Sequence, residues 1–137
     1  MILPDVLKPL DAALDATDRT QVLAAAWETF DVAEQVADAV AFEDSSDELQ
    51  ALVAAQASSA GQILLPLPES GRPIDVPAPA QGAEGLAPYV SLLRHAQVAL
   101  ERMAAEPEVE EDGRAVLQEA ADKAAIAAEA LAAVREQ

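Results

Sequence analysis

Residues 17–40 read TDRTQVLAAAWETFDVAEQVADAV. Val22, Leu23, Trp27, Phe30, Val32, Val36 and Val40 recur at steps of three and four, and alanines fill most of the gaps. That spacing is the period of an α-helix. At 100° per residue Glu28, Asp31, Gln35 and Asp38 gather on one side, leaving an apolar arc of roughly 200°, twice the ~100° stripe of an ordinary surface helix. A helix with so wide an arc needs neighbours on several sides, so the stretch predicts the central helix, over 18–41, of an all-α bundle.

Working outward, Leu3, Leu7, Leu10 and Leu14 share one helical face and predict a short helix over 4–15, which Pro9 either kinks or makes begin near Lys8. Thr17 is the expected cap of the central helix. Ser45 and Glu48 have the spacing of a capping box for a third helix over 46–64. Its apolar face is read as Leu49, Leu52, Val53, Ala60, Ile63 and Leu64, and the small residues 57–61 would let another backbone approach closely. Residues 66–88 are rich in proline and glycine and predict one long crossover, with Pro88 in the first turn of a fourth helix over 88–105. The fifth helix, over 108–135, begins among Glu108, Glu110, Glu111 and Asp112, where the helix dipole favours carboxylates. Its alanine seam through Ala120, Ala124 and Ala127 is expected to pack on the central helix. The fold is thus a single domain over 1–137, with four long helices, a short N-terminal one and a crossover at 66–88.

With 25 acidic residues against 8 basic ones the net charge is -17. Such a chain repels phosphate backbones and anionic headgroups, so neither nucleic acid nor a membrane surface is an expected partner, whereas a basic protein is. The absence of cysteine removes thiolate chemistry and sulfur-ligated zinc. Residues 1–10 lack the basic flank of a signal peptide and no uncharged run is long enough to span a bilayer, so a cytoplasmic protein is expected. The oligomeric state stays open, a dimer included.

No catalytic motif, metal-ligand spacing or cofactor fingerprint stands above the acidic background, so neither catalytic residues, a metal nor a cofactor are expected. His95 is the only histidine and falls off the apolar face of its helix, which predicts an exposed ring. A lone exposed histidine on an acidic helical bundle resembles the histidine-containing phosphotransfer domains. That resemblance would make His95 a phosphoryl acceptor, yet Val98 stands where a basic residue is expected and only the small Ala99 fits. Glu28 with Asp31, and Asp44 with Asp47, resemble the acid-x-x-acid pairs by which all-α nucleotide pyrophosphatases hold magnesium. No arginine precedes His95 at the spacing of HEPN-type ribonucleases, and Leu92 stands where a di-iron bundle would carry glutamate. Trp27 borders the acidic face of Glu28, Asp31 and Asp38, so these residues could steer and anchor a basic partner. A pocket for a small apolar ligand between Trp27, Phe30, Tyr89 and Met103 is one alternative, and a magnesium-dependent nucleotide hydrolase or a phosphotransfer protein using His95 is the other. The leading expectation is a non-catalytic interaction or regulatory module.

Overall fold

A computed structural model describes residues 5–41, 48–66 and 83–135. Within them the regular structure is entirely helical: a 3-10 turn at Asp5–Leu7, then α1 (Lys8–Ala13), α2 (Arg19–Ala41), α3 (Glu48–Leu64), α4 (Ala83–Ala104) and α5 (Glu111–Arg135). The Ser45 cap, the Asp44–Asp47 pair and most of the crossover lie outside the described residues.

The four long helices form a ring in the order α2, α3, α5, α4. Arg19 at the start of α2 bonds to Glu106 and Glu108 beyond the end of α4, and a groove brings it together with Leu64 of α3 and Gly113 of α5. Ring neighbours are therefore antiparallel. α3 and α4 lie on one diagonal and point the same way, so the end of α3 and the start of α4 sit at opposite ends of the bundle, as a crossover requires.

Four expectations are corrected. First, α5 packs on α3 and α4, while α2 sits diagonally across the core. Ala120, Ala124 and Ala127 are buried as a seam should be. Periodicity marks a buried face but not the identity of the neighbour.

Second, α3 is turned so that of the expected apolar face only Val53 and Leu64 pack, in part, against the core. Ala51, Ala54, Ala57, Ser58 and Leu65 are buried, whereas Leu49, Leu52 and Ile63 face out. The cause is Phe30, whose fully buried ring lies so close to Gly61 that a Cβ there would come within 2.5 Å of Phe30 Cζ. The small side of α3 faces inward because a large aromatic on α2 already fills that part of the core.

Third, α4 begins at Ala83 and not at Pro88, so residues 83–88 are helix rather than connection. Pro88 removes one helical hydrogen bond, but little more than a turn precedes it, which makes the loss mild. Fourth, Asp18, not Thr17, caps α2: its Oδ1 accepts from the Thr20 backbone N–H at 3.3 Å.

Three arginines secure the end of the bundle where the α4–α5 turn lies. Arg114 donates to the carbonyl of Ala104 at the end of α4 and to those of Glu106 and Val109 in the turn that follows. Arg102 donates to the Leu14 carbonyl, and Arg19 pairs with Glu106 and Glu108 at 2.7 and 2.9 Å.

Candidate functional site

The site forms at that end, where four chain segments stop or turn. Pro66 follows the last turn of α3, α4 stops at Ala104, and the turn into α5 carries Val109 between Glu108 and Glu110. Helical side chains that would close the core are missing there, and Gly113 contributes none. The result is an open groove with a volume of 410 Å³, floored by Leu23, Leu64, Leu65, Met103, Val109 and Leu117.

The rim is charged. Arg19 and Glu108 stand on it as an ion pair, and Glu110 joins them. Glu111 and Asp112 are exposed in the first turn of α5. Arg114 is turned inward onto backbone carbonyls. The lining of the apolar floor thus carries two carboxylates to one arginine, and Glu111 and Asp112 follow Glu110 in sequence without lining the groove. A second cavity of 330 Å³ lies between the α1–α2 turn and α4, with Asp15, Arg19, Arg102 and Glu106 on its wall, and both arginines there are already engaged.

The residues singled out in the sequence fall into two groups. Trp27 is half-buried and packs against the core at its edge. Asp31 accepts from Gln35 at 3.0 Å and from Gln62 of α3 at 3.5 Å, so it ties two helices together. Burial, followed by the Asp31 charge, raises the Glu28 carboxyl above its ordinary value. Glu34 is raised by burial, then by Asp38 and Asp31. Asp38 is exposed. Trp27, Glu28, Asp31 and Asp38 do lie along one side of α2, but part of that side is spent on packing.

His95 belongs elsewhere, and its expected exposure is corrected: its side chain is only 22% exposed. Nδ1 lies 2.6 Å from Asp11 Oδ1 and Nε2 lies 2.8 Å from Asp15 Oδ1, so the ring is clamped between two carboxylates of the N-terminal segment. Burial alone would lower its pKa, but the hydrogen bonds and charges of Asp11 and Asp15 outweigh it and raise the pKa. Neither ring nitrogen is free to accept a phosphoryl group. Among the described residues no three histidine, cysteine, aspartate or glutamate side chains converge as a metal site would need. Phe30 and Tyr89 are buried in the core, so of the four residues expected to line a ligand pocket only Met103 lines the groove.

Sequence reasoning missed the groove because its walls come from the ends of four separate elements. Val109, a lone apolar residue in the run Glu106 to Asp112, was the available signal. No protein-family model, no curated protein and no solved structure matches the chain.

Proposed function

We propose that this chain is a non-catalytic interaction module of the cytoplasm whose groove receives a basic amphipathic segment of a partner protein. Apolar side chains of the partner would enter between Leu23, Leu64, Leu65 and Leu117, and its lysines or arginines would lie on Glu110, Glu111 and Asp112. The reading rests on one observation: an apolar floor edged by Glu108, Glu110 and the Arg19 that pairs with Glu108, on a chain of net charge -17. Docking of an amphipathic helix by apolar anchors is a recurrent mode of peptide recognition, and an acidic rim adds steering and selects against acidic competitors.

Gly113 provides the test. A Cβ built there meets only Val109 Cγ1, at 3.6 Å, an ordinary contact, so Gly113→Leu should fold and fill the groove. Calorimetric titration with a short synthetic helix of leucine and lysine should show binding that weakens as salt rises. Gly113→Leu should weaken it by about tenfold or more, and Glu110→Gln with Glu111→Gln should mainly slow association. Absence of binding, or binding indifferent to both changes, refutes the reading.

The groove volume of 410 Å³ also lies in the range of about 300–1,000 Å³ that small-ligand sites occupy. An apolar ligand would bind without the salt dependence, which separates the two readings in the same experiment.

A further inference from the structure

We infer that the outer face of α3 is a self-association surface, on which the α3 helix of a second copy of this chain packs antiparallel. Leu49, Leu52 and Ile63 stand 68%, 49% and 81% exposed, and of the leucines and isoleucines of the helix only Leu64 packs against the core. Three large aliphatic side chains thus face water along one side of a 17-residue helix.

Charge narrows the choice of partner. Between Glu48 and Glu69 the chain carries no ionisable side chain, although elsewhere its charges give a net -17. A basic partner has no reason to select this face, because the carboxylates that would attract it lie elsewhere. Two acidic copies repel one another wherever both present carboxylates, and this uncharged face is where they can meet.

The pattern of the face is also self-complementary. Leu49, Leu52, Gln56, Ser59 and Ile63 follow steps of three, four, three and four. About Gln56, Leu49 and Ile63 lie seven residues either side, and Leu52 and Ala60 lie four either side. In an antiparallel pair with its axis at Gln56, Leu49 meets Ile63 of the other copy, and the large Leu52 meets the small Ala60. This reciprocity is what an isologous interface demands. The two Gln56 amides face each other on the axis, and a polar pair inside an apolar seam fixes register.

Size sets the strength. A helix of this length is about 25 Å long and about 10 Å across, a footprint of roughly 250 Å². That is well under the ~800 Å² per partner of a standard interface, so the dimer is weak and concentration-dependent. Salt should strengthen it by screening the mutual repulsion, the opposite of its effect on the groove.

Sedimentation equilibrium across protein concentration and salt tests this. Wild type should pass from 14.3 kDa toward twice that mass as concentration rises, and more readily at high salt. Leu52→Glu and Ile63→Glu, both at exposed positions, should remain monomeric with unchanged circular dichroism, while Val98→Glu on exposed α4 surface should behave like wild type. Because the chain has no cysteine, Leu49→Cys and Ile63→Cys can be mixed under mild oxidation and should cross-link to each other rather than to themselves. A monomer at every concentration and salt, a dimer that survives both glutamates, or self-linked Leu49→Cys would overturn the inference.

Discussion

A methyl group added at Gly61 would lie 2.5 to 2.9 Å from three ring atoms of Phe30, and that ring is fully buried and cannot swing aside. Gly61→Ala should therefore destabilise by about 1 to 3 kcal/mol through overpacking, even though alanine is the better helix former by about 1 kcal/mol. Gly113→Ala should do the reverse, gaining up to about 1 kcal/mol, since its new methyl meets only one side chain at an ordinary distance. Thermal melts of the two variants check both signs at once. If Gly61→Ala melts at or above wild type, the contact that turns the small side of α3 inward is misplaced. The sequence shows that residues 57–61 invite close approach. It does not show what approaches, because Phe30 sits on another helix and periodicity within one helix says nothing about the next.

At the scale of elements, α1 is held by more than Leu7, Leu10 and Leu14. His95 is gripped by Asp11 and Asp15, and Arg102 of α4 donates to the Leu14 carbonyl. Since His95 has a raised pKa when folded, the stability it contributes is fully present below the ordinary value of 6.5 and is lost as pH rises through the folded value. Glu28 and Glu34, also raised, act in the same direction from their ordinary value of 4.5 upward. The protein should thus melt higher in mildly acidic than in mildly alkaline buffer. His95→Gln should lower stability by roughly 1 kcal/mol below pH 6.5, a figure discounted because Asp15 is largely solvent-exposed, and should match wild type more closely at alkaline pH. A variant with the same pH slope as wild type would show that the clamp contributes nothing. The faces of α2, α4 and α5 and the proline break after α3 were legible from spacing alone. The clamp was not, because a helical wheel of residues 83–104 cannot register that α1 lies across it.

For the molecule as a whole, the all-helical class was legible because four amphipathic patterns of bundle length are separated by proline, glycine and capping signals. The ring order was not, since several pairings bury the same faces equally well. The sequence placed a basic partner on the Trp27 side of α2, where ring and carboxylates share a face. Trp27 packs on the core edge and Asp31 is tied to Gln35 and Gln62, while the groove at the α4–α5 end offers an apolar floor edged by Arg19, Glu108 and Glu110. The two surfaces make different predictions for one measurement: a two-dimensional amide NMR titration with the leucine-lysine helix, at protein concentrations low enough to keep the chain monomeric. The account predicts that the amides of Leu23, Leu64, Leu65, Val109, Gly113 and Leu117 shift together and saturably, with Trp27 and Asp38 unmoved. Shifts centred on Trp27, Glu28 and Asp38, with the groove amides unchanged, would contradict it.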